Sequence, residues 1–179
     1  MYIESRYDRG IKDTLAQVKA LPLPETGETV FCKENGRVLT YDGELWMCDD
    51  FVKLINGSTS IQPQGAVMVI PFGSGAGGSV LPTSNSYDTR VVGVNVYSTA
   101  GGAPMAIAYK GIYKVRLIYF STPSVIGGFI RTTSAGGGGY AEINATVTGG
   151  FFGWTLEVPT AASPSLVRCL LRGKVEYYY

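Results

Sequence analysis

Glu28-Thr-Val-Phe-Cys-Lys-Glu34, Asn35-Gly36, Arg37-Val-Leu-Thr-Tyr41, Asp42-Gly43, Glu44-Leu-Trp-Met-Cys48 is the stretch that decides the fold. Asn-Gly and Asp-Gly supply the positive φ values that two-residue type I′ turns demand. The stretch therefore predicts a three-stranded antiparallel meander within 25–53. Counting across two-residue loops sets Cys32 opposite Leu39 and Leu39 opposite Trp46, an apolar row on one face. Cys32 and Cys48 then occupy the two outer strands, roughly 10 Å apart from strand spacing and rise, too far for a disulfide. Three strands are scarcely stable alone, so this module needs a surface to pack on.

Upstream, residues 1–24 predict an N-terminal arm with a short helix. Asp8 is the candidate cap, and Ile11, Leu15 and Val18 fall at i, i+4 and i+7 as one apolar stripe; Pro22 and Pro24 end it. Such a helix is marginal in water and must lie on its own domain, a sister subunit or another protein. Met1 to Gly10 is charged and lacks the apolar core of a signal peptide.

Downstream, 51–62 reads as a connector. From Gly65 the chain becomes a series of short runs rich in Val, Ile, Tyr, Phe and Thr: Ala66–Phe72, Arg90–Tyr97, Pro104–Ile112, Tyr113–Phe120, Gly128–Thr133, Tyr140–Thr146, Phe151–Val158 and Ser165–Arg172. Gly, Pro and Ser clusters separate them. That spacing predicts an all-β class, with a barrel or sandwich of short antiparallel strands over 60–179. Val91-Val-Gly-Val94 and Leu166-Val-Arg-Cys-Leu-Leu171 are apolar on both faces, one for a core and one for a neighbouring subunit. The terminal Tyr177, Tyr178 and Tyr179 fit either an edge that meets another surface or a free tail.

Composition narrows the function. Of 179 residues 45% are hydrophobic and only 16% charged, so part of the surface is expected to be covered by a partner or by further copies. Net charge is +1, which offers no concentrated basic field for nucleic acid. The charge is uneven: residues 1–53 carry seven basic and ten acidic side chains, and 54–179 carry eight and four. Histidine is absent, which removes the commonest general base and the commonest zinc ligand. Cys32, Cys48 and Cys169 fit no disulfide framework or zinc knuckle and read as free thiols. No apolar stretch approaches the roughly 20 residues of a membrane-spanning helix. The glycosylation sequons at Asn56 and Asn144 are chance matches without a secretory route.

The candidate motifs resolve into ordinary structure. Gly73-Ser-Gly-Ala-Gly-Gly78 matches the dinucleotide-binding pattern, but Pro82 follows and no acidic residue stands about twenty positions on, so it reads as a surface loop. Gly136–Gly139 reads as a hairpin tip. Asp49-Asp50 is the one adjacent carboxylate pair; strand alternation sends the two apart, into a solvated turn. Lys110, Lys114 and Arg116 among Tyr109, Tyr113 and Tyr119 suit base stacking or plain strand faces with snorkelling lysines. No nucleophile elbow exists, so the expectation is a protein that is not an enzyme and takes no cofactor or metal.

The runs Gly65-Ala-Val-Met-Val69, Val91-Val-Gly-Val94, Ala106-Ile-Ala-Tyr-Lys-Gly111, Gly127-Gly-Phe-Ile-Arg-Thr132, Phe152-Gly-Trp-Thr-Leu156 and Val167-Arg-Cys-Leu-Leu171 follow one another in a Gly-punctuated order. Over about 60–176 this order resembles the small β-barrel decoration proteins, head cement or head fibre, of tailed bacteriophages. The N-terminal helix and meander lie outside the likeness. The resemblance implies a structural virion protein on the capsid surface, made in the bacterial cytoplasm. It also implies a homotrimer bound to the major capsid protein or other virion proteins, with no nucleic acid or membrane. A tail or fibre module touching host glycan, with Trp154 as the residue to examine, is the alternative. The expected interface residues are Ile11, Leu15, Val18, Trp46, Tyr177, Tyr178 and Tyr179.

Overall fold

Asn35-Gly36 and Asp42-Gly43 do turn the chain back on itself. The computed structural model describes residues 8–71, 78–86, 88–118, 126–133, 138–144, 151–158 and 165–173. Strands β1 (Asp8–Lys12), β2 (Thr29–Cys32), β3 (Arg37–Tyr41) and β4 (Trp46–Met47) form one sheet in that order. β1 runs parallel to β2, and the other pairs are antiparallel. The loops are wider than two residues: Cys32 stands opposite Arg37, Val30 opposite Leu39, and Tyr41 opposite Trp46. Side chains cause this. Asp42 Oδ1 accepts from Glu44 N at 2.9 Å and Leu45 N at 2.8 Å, and Asn35 Oδ1 accepts from Arg37 N at 3.2 Å. Each side chain closes a wider turn in place of the type I′ geometry. A two-residue shift keeps every side chain on its face, so Val30, Cys32, Leu39 and Trp46 are still buried together.

The helix is shorter than its stripe suggests. α1 spans Leu15–Lys19, capped by Thr14 and not Asp8, through a capping box with Gln17. Asp8–Lys12 is extended beside β2, and Ile11 pairs with Phe31 on the open side of the sheet. One turn of helix cannot hold itself, so Leu15 and Val18, both buried, anchor it.

Two closed five-stranded barrels follow, where the sequence predicts one barrel or sandwich. The first contains β5 (Phe51–Asn56), β6 (Val67–Val69), β7 (Ser79–Pro82), β8 (Val91–Asn95) and β9 (Pro104–Ala108). The second contains β10 (Lys110–Leu117), β11 (Phe129–Thr132), β12 (Ala141–Asn144), β13 (Phe151–Thr155) and β14 (Ser165–Arg172). β5 lies in the stretch read as a connector, and β7 follows Gly73–Gly78 in a stretch for which the sequence predicts no strand.

The second barrel repeats the first. In each, the first strand runs parallel to the third and antiparallel to the fifth; the second pairs with the third and fourth, and the fourth with the fifth. Register repeats too. Asn56 faces Val80 as Leu117 faces Ala141, and Val67 faces Val94 as Phe129 faces Trp154. The ladder slips at the same step in both, between Met68 and Val69 and between Ile130 and Arg131. Loop hydrogen bonds recur: Gly65 N donates to Asn95 O at 2.7 Å and Gly127 N to Thr155 O at 2.8 Å. Val96 N donates to Ala106 O and Leu156 N to Arg168 O, both at 2.9 Å.

Gly93 and Gly153 are equivalent positions with the same duty. A Cβ on Gly93 would lie 2.1 Å from Ala108 O, and one on Gly153 2.4 Å from Leu170 O. The last strand of each barrel passes too close for any side chain. Gly93→Ala and Gly153→Ala should each lower stability by about 1–3 kcal/mol, the usual cost of overpacking, in urea denaturation. Wild-type stability in either variant would contradict this close crossing.

Candidate interaction surface

Phe51, Ala108, Val94 and Val67 stand opposite one another across β5, β9, β8 and β6, on the outside of the first barrel. An outer row would normally meet water, yet none of the four exceeds 7% exposure. They share one apolar cluster with Leu15, Val18, Leu39 and Trp46 of the N-terminal module. The inner face of the sheet shares the cover of this row with the second barrel: the same cluster holds Tyr113 and Val115 of β10, and Phe51 packs on Tyr113 with ring centroids 5.4 Å apart. Tyr97 OH donates to Trp46 O across this joint at 3.2 Å, and burial pushes its phenol well above the ordinary range.

A buried carboxylate ties the module to the second barrel. Asp49 is exposed and Asp50 buried, so the pair diverges, but Asp50 is not in a solvated turn. Arg37 Nε donates to Asp50 Oδ2 at 2.6 Å and Tyr113 OH donates to the same oxygen at 3.3 Å. This hydrogen bond to Asp50 raises the Arg37 guanidinium above its already high value, and burial raises the Tyr113 phenol. Gly111, at φ +91°, leaves room for the carboxylate: a Cβ there would lie 2.8 Å from Asp50 Oδ2. The two barrels meet at Gly65, whose carbonyl accepts from Arg116 N at 3.0 Å. They meet again at Gly139, which accepts from Val67 N at 2.9 Å and donates to Thr83 O at 2.7 Å. The described end of the Gly136–139 run is thus a joint, not a hairpin tip in water.

The basic and aromatic cluster around β10 is not assembled as a stacking platform. Lys114 Nζ pairs with Glu34 at 2.8 Å and Lys110 Nζ lies 3.9 Å from Asp50, while Tyr113 is buried. Tyr119 and residues 72–77 lie outside the described residues. Among the described residues no group of three or more His, Cys, Asp or Glu could hold a metal ion, and no helix is long and apolar enough to cross a membrane.

Two apolar rows face outward. On the second barrel, Ile112, Leu170, Trp154 and Phe129 face one another across β10, β14, β13 and β11, the positions equivalent to Phe51, Ala108, Val94 and Val67. Leu170 is 38% exposed and the other three are half-buried. Phe151 packs edge-on against Phe129 and Trp154, with ring centroids 5.1 and 5.0 Å away. On the N-terminal sheet, Ile11, Phe31 and Val38 form a row on the face opposite the core, 61, 37 and 57% exposed.

Of the expected interface residues, Ile11 alone among those described is on the surface. Leu15, Val18 and Trp46 are turned into the chain's own core, because the helix and the meander cover the first barrel. Tyr177, Tyr178 and Tyr179 lie outside the described residues. Sequence reasoning passed over Phe31, Val38 and the row position of Trp154, while Leu170 lies on the outward face expected for Leu166–Leu171. Strand alternation carried the signal: Phe31 lies between buried Val30 and Cys32 and so points the other way.

No family model matches the chain, and no curated protein matches it. Among solved structures it is similar to the head fiber gp8.5 N base of bacteriophage phi29, with a TM-score of 0.49 and 14% sequence identity. The match covers 71% of this chain and 99% of that one.

Asp50→Ala should cost about 2–4 kcal/mol, because it leaves buried partners without their carboxylate, whereas removal of exposed Asp13 should leave the unfolding midpoint unchanged. Equal midpoints for the two variants would contradict a buried tie at Asp50. Cys32, Cys48 and Cys169 are free thiols, each raised by burial above the ordinary thiol range. All three should react with a thiol reagent in denaturant, and Cys32 and Cys169 at least tenfold more slowly in the native protein at neutral pH. Equally fast native labelling would contradict the burial.

Proposed function

We propose that this chain is a structural protein of a tailed-phage particle, a decoration protein that binds the outside of the head and reinforces it. The observation that carries the reading is the pair of outward apolar rows on rigid β surfaces, one on the N-terminal sheet and one on the second barrel. Apolar side chains fixed in a strand ladder contribute at most about 1.5–3 kcal/mol each when a partner covers them, less for those already half-buried, with little ordering cost. The Gly-punctuated run order over 60–176, which resembles head decoration proteins, supports the same reading. The partners proposed are the major capsid protein or neighbouring virion proteins, together with further copies of this chain in a homotrimer. The mechanism is mechanical: closed barrels present no free sheet edge, resist shear, and bridge neighbouring capsomers without chemistry. No catalytic role is proposed.

The second reading, a tail or fibre module contacting host glycan, rests on the half-exposed Trp154 beside Phe129 and Phe151, since sugars stack on such rings. Copy number separates the two. Quantitative mass spectrometry of purified particles should find on the order of hundreds of copies, in keeping with symmetric closed assemblies on a shell. Adding the protein to particles that lack it should raise their resistance to heat and chelator. A dozen or so copies per particle, with unchanged resistance and direct cell binding, would contradict the head reading and favour the second.

A further inference from the structure

The repeat supplies a comparison within one chain. Two barrels of the same register carry equivalent apolar rows, and a sheet covers one of them. Phe51, Ala108, Val94 and Val67 lie in one buried cluster with the N-terminal sheet and β10, while Leu170 is 38% exposed, Trp154 and Phe129 are half-buried, and Ile112 borders Leu15 and Glu34 at the edge of the N-terminal module. The same sheet is apolar on its other face, where Ile11, Phe31 and Val38 are open. Each chain thus carries one sheet face that has found a barrel row, one that has not, and one barrel row left partly open.

We infer that the outer Ile11–Phe31–Val38 row of one copy docks on the Ile112–Leu170–Trp154–Phe129 row of the next, so that the chain assembles head to tail into a ring. The sheet would then sit between two barrels, its own first barrel and a neighbour's second barrel, on equivalent rows. The two regions differ in charge, ten acidic to seven basic side chains in 1–53 and four acidic to eight basic in 54–179, with Asp13, Glu28, Glu34, Asp42, Glu44 and Asp50 of the first region already paired within the chain. Arg168 and Arg172 flank the uncovered row, whereas Ala106 takes the place of Arg168 beside the covered one. A contact between two different faces leaves one of each free at every step, so it continues until the circle closes. The inference deepens the self-association proposed above and names its surface; it does not depend on the particle.

Two variants test it, each on an exposed residue: Val38→Asp on the sheet and Leu170→Asp on the second barrel. Wild-type protein should run as one discrete oligomer in size-exclusion chromatography with light scattering, and each variant alone as a monomer with an unchanged circular dichroism spectrum. An equimolar mixture should form one-to-one pairs and stop there, because only one intact sheet row and one intact barrel row remain. A wild-type monomer, or a mixture that stays monomeric, would overturn the inference. So would either variant alone assembling like the wild type, since that leaves its mutated row out of the contact. Should Leu170→Asp fail to fold, Val38→Cys and Leu170→Cys chains replace the pair. Mild oxidation of their mixture should give the crosslinked heterodimer, and its absence would equally overturn the inference. A wild-type monomer that still decorates particles would sink the ring and spare the virion reading; a ring that binds no particle would do the reverse.

Discussion

The covering of one apolar row, Phe51–Ala108–Val94–Val67, holds this molecule together. A five-stranded barrel is small, and its interior is filled by few side chains: Met68, Val80, Met105 and Ile107 do so in the first barrel. A four-stranded sheet ending in a two-residue strand has little stability of its own. Neither half of the joint is sufficient. Joined, Leu15, Val18, Leu39 and Trp46 leave water at the same time as the barrel row, and each such burial contributes about 1.5–3 kcal/mol. The Arg37–Asp50–Tyr113 tie fixes the sheet against the second barrel, and Phe51 packed on Tyr113 joins that barrel to the same cluster.

Side-chain size follows the cover. Where the sheet lies close, the row is mostly small: Val67, Val94 and Ala108, with Ala106 alongside. Where the second barrel is open, the equivalent positions are Phe129, Trp154 and Leu170, with Arg168 alongside at the edge of the N-terminal module. The two barrels share one backbone plan and its inner constraints and differ on their outward faces. Gly93 and Gly153 persist because backbone approaches them; Gly65 and Gly127 persist because both turns need a positive φ, +78° and +82°.

Much of this was legible in sequence, and the rest was hidden for physical reasons. The all-β class, the meander and the Gly-punctuated strands follow from local chemistry. The meander register does not, because Asp42 and Asn35 spend their side chains on wider turns, a choice that the dipeptides Asp-Gly and Asn-Gly alone do not reveal. β5 was missed because Lys53 interrupts its apolar run, although Val52 and Leu54 face the barrel core. The repeat was invisible because equivalent interior residues share little but burial: Met68 with Ile130, Met105 with Val167, Ile107 with Cys169. At the surface, the helical stripe Ile11–Leu15–Val18 misled. Its first member is in a strand, and only there does it look outward.

The chain has two indoles, Trp46 in the covered joint and Trp154 in the uncovered row, so fluorescence can report the second alone in a Trp46→Phe background. Acrylamide quenching across a dilution series is the most direct measurement of whether that row seeks a cover. Burial against a neighbour predicts weak quenching in concentrated protein that rises, with a red-shifted emission, as dilution separates the copies. Strong quenching of Trp154 at every concentration, with no spectral shift, would contradict the account.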